Sequence, residues 1–175
     1  MIDLKSRPLA APAQDPAEKP ADKTPPGKKE PASKEKPAGG AATPIQTNIS
    51  PQDLYKTAYA DYQKGTYEMA IDGFTTLVEQ FPSNPLADDG LYMIGECYYS
   101  QKKFAQAIEQ FDALIVDYPS SNKLAATYLK KGYSLAELKR KEEAVSVLRF
   151  LVSKYPLDEE AKSAQQKIKE ILEEK

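Results

Sequence analysis

The side chains that could carry chemistry are few in this sequence. It contains no histidine and a single cysteine, Cys97. Without histidine, Ser-His-Asp triads, histidine metal sites and histidine general bases are excluded. One cysteine can form neither an intramolecular disulfide nor a cysteine-only zinc site. We interpret Cys97 as a small buried apolar residue, because no histidine is present to lower the pKa of its thiol. The sequence therefore predicts no catalytic, cofactor-binding or metal-ligating residue.

Charged side chains occur in short clusters that have a simple explanation. The acidic pairs Asp88–Asp89 and Glu159–Glu160 lie where helices are predicted to begin, and there they complement the helix dipole. The run KRKEE at 139–143 reads as a solvated turn whose acids offset its bases. With a formal net charge of −2, nucleic-acid binding is not expected. An enzyme that uses paired carboxylates on peptidoglycan is the catalytic alternative, although no such pair lies away from a helix start.

Composition divides the chain near Ile45. Residues 1–45 hold nine of the fourteen prolines and none of the sixteen Tyr and Phe residues. Such a segment cannot bury enough apolar surface to offset the entropy of ordering its backbone. We therefore predict a disordered Pro/Ala/Lys-rich tether at 1–45 and a folded domain at 46–175.

The start of the chain shows no targeting signal. "MIDLKSRPLAAPAQ" lacks an apolar core of 7–15 residues, so no signal peptide is predicted, and no stretch is apolar for long enough to cross a membrane. By itself this favours a cytosolic protein. The alternative is a chain whose export signal lies upstream.

The folded region contains a repeat with a period of 37 residues. Leu54, Leu91 and Tyr128 superimpose at this offset. So do three small residues, three alanines, three large apolar residues and three closing prolines: Ala58, Gly95 and Gly132; Ala70, Ala107 and Ala144; Phe74, Phe111 and Leu148; Pro82, Pro119 and Pro156. This many coincidences at one offset indicate three structural units, at about 51–83, 88–120 and 125–157.

Each unit predicts two antiparallel helices. Apolar residues recur at three and four positions, for example at Ala70, Phe74 and Leu77. Ser50 before Pro51 reads as an N-cap, with Asp53 as the capping-box acid. Asn84 before Pro85 and Asp158 before "EEA" repeat the start signal, and Gly65 suits a left-handed turn. The small residues would let the helices of a hairpin approach closely, and the large apolar residues would fill the space between units. A last amphipathic helix at about 158–173, with its apolar side at Ala161, Ala164, Ile168, Ile171 and Leu172, would cap the array.

The spacing of small, Ala, large apolar and Pro residues is similar to the tetratricopeptide (TPR) pattern. The longer period and blocks such as "YADYQKGTYEMAIDGF" and "YPSSNKLAATYLKKGYSLAEL" resemble the YbgF/CpoB family of Tol–Pal proteins. The resemblance implies an all-α TPR solenoid of three helix hairpins and a C-terminal capping helix. It also implies a periplasmic location, which reverses the preference for the cytosol. The signal peptide and the trimerising coiled coil of that family are absent from this chain.

The resemblance to TPR proteins places the first helix of each unit along a concave groove. Groove positions would then carry six of the eleven tyrosines. Tyrosine suits a protein-binding surface because it offers a large rigid ring and a hydroxyl group at low entropic cost. The alternative is that these rings pack between the helices and only stiffen the array. Asp89 and Glu96 would make the middle of the groove mildly acidic. The predicted partner-binding residues are Tyr55, Tyr59, Tyr62, Tyr92, Glu96, Tyr99 and Tyr133.

For function, the resemblance implies a non-enzymatic adaptor that binds TolA and a peptidoglycan synthase complex and coordinates outer-membrane constriction with septal peptidoglycan synthesis. It also implies a homotrimer through the coiled coil that this chain lacks. A TPR scaffold of outer-membrane protein assembly, similar to BamD, is the alternative. That alternative needs an N-terminal lipid-modified cysteine, whereas the single cysteine here is Cys97. Neither a cofactor, nor nucleic-acid binding, nor membrane insertion is predicted.

Overall fold

The computed structural model describes residues 49–174, which form seven α-helices and no strand. The predicted tether at 1–45 lies outside the described residues. The helices are α1 (Pro51–Lys64), α2 (Tyr67–Gln80), α3 (Ala87–Ser100), α4 (Phe104–Asp117), α5 (Leu124–Glu137), α6 (Lys141–Lys154) and α7 (Glu159–Glu173). Successive helices pack against each other as three hairpins followed by one helix. The predicted all-α solenoid with a C-terminal capping helix is confirmed. None of the helices within 49–174 has the length and apolarity needed to cross a bilayer.

The helix-start signals are confirmed in part. The Ser50 hydroxyl accepts a hydrogen bond from the Asp53 amide (3.1 Å) and donates one to the Asp53 carboxylate (2.7 Å), as an N-cap should. Asp158 is the N-cap of α7, although its side chain makes no capping hydrogen bond. The start predicted at Asn84 is wrong, because α3 begins at Ala87. The Asn84 side chain instead accepts from the Leu86 amide and closes a turn before the helix.

The hairpin turns share one left-handed residue at the same position of each unit. Gly65 has φ +79°, as predicted, and Lys102 and Lys139 each have φ +61°. In each turn two backbone hydrogen bonds close the end of the first helix in the same pattern, from this residue and from the one after it. These hydrogen bonds hold the backbone of the turn in one conformation whatever the residue is. In the second and third units a lysine therefore adopts the left-handed conformation that glycine favours.

Close approach within the hairpins is confirmed, and it explains the large apolar residues. A Cβ atom added at Gly95 would collide with the ring of Phe111, and one added at Gly132 with the side chain of Leu148. Each of these two large residues therefore packs on the small residue of its own hairpin, and both are fully buried. In the first unit Ala58 meets Gly73 of α2 in the same manner.

Helix α7 ends the array with a polar outer side. Its buried residues, Ala161, Ala164 and Ile171, occupy the repeat positions at which α3 buries Ala87, Gly90 and Cys97. Where α3 has Leu91 and Gly95 facing its own second helix, α7 has the exposed residues Gln165 and Lys169. Leu172 is 62% exposed, so its predicted place on the covered side is wrong.

Candidate functional site

The first helices of the units form one curved layer. Helix α1 contacts α3, α3 contacts α5 and α5 contacts α7, whereas the second helices α2, α4 and α6 make no contact with one another. Because the first helices are closer together, the array bends toward them. The side of the first helices that faces away from the second helices is therefore the concave side of the array. We call this surface the groove. It contains the predicted tyrosine positions.

Three tyrosines of α1 form a stacked row along the groove. The ring centroids of Tyr55 and Tyr59 are 6.0 Å apart with planes 8° apart, and those of Tyr59 and Tyr62 are 6.1 Å apart. Their spacing of four and three residues places the rings on successive turns of one helix face. Tyr59, at the centre of the row, is 38% exposed. It therefore presents aromatic surface that no described residue covers.

The outer members of the row also stabilise their own hairpin. Tyr55 packs edge-on against Phe74 at 5.4 Å, and Tyr62 contacts Tyr67 at 5.7 Å between centroids. Both are half-buried. Tyr55 and Tyr62 can therefore have both of the predicted roles. Each packs on α2 and stiffens the hairpin, and each also extends the aromatic surface around Tyr59.

The second unit contributes two more rings. Tyr92 contacts Phe111 at 6.0 Å, and Tyr99 meets Phe104 edge-on at 5.3 Å. The ammonium group of Lys130 lies 5.0 Å from the centre of the Tyr99 ring, a cation–π contact from the next unit. These contacts fix the ring orientations before any partner arrives.

Ion pairs between units neutralise the acids of the groove. Lys130 Nζ lies 2.6 Å from Glu96 Oε2, and Lys123 Nζ lies 3.0 Å from Asp89 Oδ1 without hydrogen-bond geometry. The other oxygen of Glu96, Oε1, is buried and has no hydrogen-bond donor among the described residues. The predicted acidic character of the groove is therefore wrong, since each carboxylate has a lysine of the third unit beside it.

Helix α7 supplies the far wall of the groove. Tyr133 of α5 and Lys162, Gln166, Lys167 and Glu170 of α7 line an open cavity of about 360 Å³. Lys167 Nζ lies 5.8 Å from the centre of the Tyr133 ring. Sequence analysis predicted Tyr133 but treated α7 as a cap alone, so it missed the α7 residues of this wall. Extending the 37-residue repeat to α7 could have revealed them, because α7 lies where the first helix of a fourth unit would be.

The groove phenols keep their hydrogen-bonding capacity. The Tyr118 hydroxyl donates to Pro82 O outside the groove (3.1 Å), and among the groove tyrosines Tyr62 has the side chain of Ser100 as a hydrogen-bond partner. Burial raises the pKa of most groove phenols above the ordinary tyrosine range, so they remain protonated donors at neutral pH; these are Tyr55, Tyr62, Tyr92, Tyr99 and Tyr133. The arrangement can bind a polypeptide through ring faces and hydroxyls.

The single thiol of the described residues is buried. Burial, together with the negative charge of Glu96, raises the pKa of the Cys97 thiol to about 12, and the side chain is fully buried. Such a thiol is not a nucleophile at neutral pH. Within 49–174, His, Cys, Asp and Glu side chains do not gather in a group that could hold a metal ion.

A comparison with protein families supplies the identification. The model of the YfiO family, described as outer membrane lipoprotein, matches residues 47–174. The chain belongs to this family. The match covers all seven helices and the whole groove. A comparison with curated proteins found no match.

Solved structures with the same fold include TPR domains. The TPR domain of Arabidopsis OM64 aligns with a TM-score of 0.58 and 18% identity over 69% of this chain and 94% of its own. The Yersinia enterocolitica chaperone SycD, solved with a peptide of the translocator YopD, gives 0.58 and 20% over 70% and 88%. The second TPR domain of human RPAP3, in complex with an HSP70 peptide, gives 0.55 and 18% over 69% and 98%. At these identities the likeness establishes the TPR fold of this YfiO-family chain.

Proposed function

We propose that this chain is a non-catalytic adaptor that holds a segment of a partner protein in the groove. The observation that carries the proposal is the row of stacked tyrosines centred on Tyr59. Stacked rings present a large rigid surface, and the ring at the centre of the row, Tyr59, is 38% exposed. A side chain or backbone that fills the groove meets apolar ring faces and hydrogen-bonding groups that are already oriented.

The groove favours an internal segment over a free C-terminal carboxylate. TPR domains that bind chaperone tails hold the carboxylate with Lys and Asn at neighbouring groove positions, and here the corresponding positions have Tyr59, Glu96 and Tyr133. Lys130 is engaged by Glu96 at 2.6 Å and is not available to a carboxylate. An extended or helical internal segment fits these positions better.

For the setting, we propose the Tol–Pal system of the periplasm, with TolA and a peptidoglycan synthase complex as partners. The resemblance of the repeat blocks to the YbgF/CpoB family supports it. The second candidate is a scaffold role in outer-membrane protein assembly, and membership of a family described as outer membrane lipoproteins favours it. Both settings place the chain in the cell envelope and require the same groove.

Calorimetric titration of the chain with the periplasmic part of TolA from the same organism tests the proposal. We expect saturable binding that Tyr59→Ala weakens about tenfold, or 1.4 kcal/mol, because it removes the exposed ring at the centre of the row. Tyr59→Phe should weaken binding by less than Tyr59→Ala does, since it removes the hydroxyl and keeps the ring. Tyr118→Phe, outside the groove, is the matched control and should leave affinity unchanged.

Two outcomes separate the groove from the setting. Binding of TolA that Tyr59→Ala changes by less than twofold would refute the groove. Absence of heat from a chain with intact helicity would remove TolA as the partner and favour the outer-membrane assembly role.

A further inference from the structure

A second apolar surface lies outside the groove, on the third unit. The ring centroids of Tyr128 and Phe150 are 4.9 Å apart, and those of Tyr128 and Tyr155 are 6.3 Å apart. Leu157 follows Tyr155 within the turn that the Asp158 amide closes on the Tyr155 carbonyl. We call these four residues the third-unit patch. Phe150 is 46% and Leu157 94% exposed.

The patch points away from the groove. Tyr128 occupies the repeat position that faces the second helix of its own hairpin, as its contact with Phe150 of α6 shows. The groove positions of the same helix, among them Tyr133, face α7 and the inside of the curve. A ligand in the groove would therefore leave the patch free.

The other two units show that the fold does not require the patch. At the positions of Tyr128, Phe150 and Leu157 the first unit has Leu54, Thr76 and Ser83, and the second has Leu91, Ala113 and Ser120. Both units form the same hairpin with these smaller or more polar residues. Exposed apolar surface of this kind is unfavourable in water and marks an interaction site when it is clustered.

The charge around the patch identifies its complement. The Lys154 ammonium group lies 5.5 Å from the centres of both the Phe150 and the Tyr155 rings. No carboxylate within residues 49–174 forms an ion pair with it. The other charges beside Tyr128, Lys131 and Asp112, neutralise each other as an ion pair. The two rings thus have beside them a lysine without an ion pair, and the Asp158 carboxylate, next to Leu157, is the nearest charge in sequence on the other side of the patch.

We propose that the third-unit patch docks an acidic amphipathic segment of a partner protein. An apolar side chain of that segment would pack on Phe150 and Leu157, and an Asp or Glu side chain next to it would pair with Lys154. Lys154 is exposed, so a carboxylate held there would form a surface ion pair without displacing an existing one. Because the patch does not include the groove residues, the adaptor could hold two partners at once.

The three units themselves supply the test variant. Tyr128→Leu, Phe150→Ala and Leu157→Ser together give the third unit the residues that the second has at these positions. A displayed library of random 20-residue segments is first selected for binding to the unaltered chain. Segments that also bind the triple variant are then removed. Circular dichroism establishes that the variant has native helicity, and Phe150→Ala alone serves if it does not.

We expect patch-dependent binders rich in Asp or Glu together with Leu, Ile or Phe. Their affinity should fall at least tenfold on the triple variant and stay unchanged on Tyr59→Ala. On Lys154→Glu the preference should shift to basic segments. A sort that yields no patch-dependent binders, or binders without acidic bias, overturns the proposal. Sedimentation showing that the unaltered chain dimerises and the triple variant does not would also overturn it, because the patch would then bind a second copy. Since these readouts do not involve the groove, they can succeed or fail independently of TolA binding.

Discussion

The left-handed residue in each hairpin turn allows a quantitative test of how the repeat is built. Lys102 and Lys139 have φ +61°, and the first unit has Gly65 with φ +79° at the same position. A left-handed conformation costs a residue with a Cβ about 1–2 kcal/mol. Glycine avoids this cost, but it loses about 0.5–1 kcal/mol more entropy on folding. The difference between the two costs runs from roughly 0 to 1.5 kcal/mol, so each Lys→Gly replacement should raise the free energy of unfolding by about 0.7 kcal/mol.

The two positions lie in separate hairpins, so their effects should add. Lys102→Gly with Lys139→Gly should raise the free energy of unfolding by about 1–2 kcal/mol, which corresponds to a Tm increase of roughly 3–10 °C for a domain of this size. Urea unfolding followed by circular dichroism at 222 nm measures the first quantity, and a thermal melt measures the second. The reciprocal change, Gly65→Lys, should lower stability by a similar amount.

Lys103→Gly is the matched control. Lys103 follows Lys102 directly, but its φ is −86°, so glycine relieves nothing there and should lower the free energy of unfolding by a few tenths of a kcal/mol or more. If Lys102→Gly destabilises the chain as much as Lys103→Gly does, the reasoning from left-handed strain is refuted.

Two further changes test the hairpin packing and the buried thiol. Gly95→Ala should lower the free energy of unfolding by about 1–3 kcal/mol in urea, because its methyl group overlaps the Phe111 ring, and adding Phe111→Leu should recover part of the loss; an unchanged midpoint for the single variant would contradict this packing. Cys97 should resist a thiol reagent at pH 8 until urea unfolds the chain, and reaction within minutes in the native state would contradict its burial. Because its pKa is about 9 when unfolded and about 12 when folded, its stabilising contribution is present below pH 9 and is lost as pH rises from 9 to 12. The melting temperature should therefore fall less between pH 8 and pH 11 for Cys97→Ala than for the unaltered chain.

Local signals of the sequence determined the helices and their pairing. The apolar spacing of Ala70, Phe74 and Leu77, the cap at Ser50 and the glycine at Gly65 each depend on residues within a few positions of one another. Such preferences act before any tertiary contact forms, so each unit carries its own instructions for a hairpin. The period of 37 residues then made the solenoid predictable, because identical units that cannot bury their apolar faces alone must stack. The spacing of Tyr55, Tyr59 and Tyr62 by four and three residues placed them on one helix face.

Only the tertiary structure decided what the groove is chemically. Lys130 is 34 positions from Glu96, and the packing of α5 against α3 brings its ammonium group onto that carboxylate and over Tyr99. The packing of α7 against α5 likewise brings Lys167 to the Tyr133 ring and makes α7 a wall of the groove. The backbone of the hairpin turn, closed by hydrogen bonds, forces Lys102 into a conformation its side chain disfavours. Contacts across units depend on angles between helices that no local preference encodes, and they set the charge and shape that a partner meets.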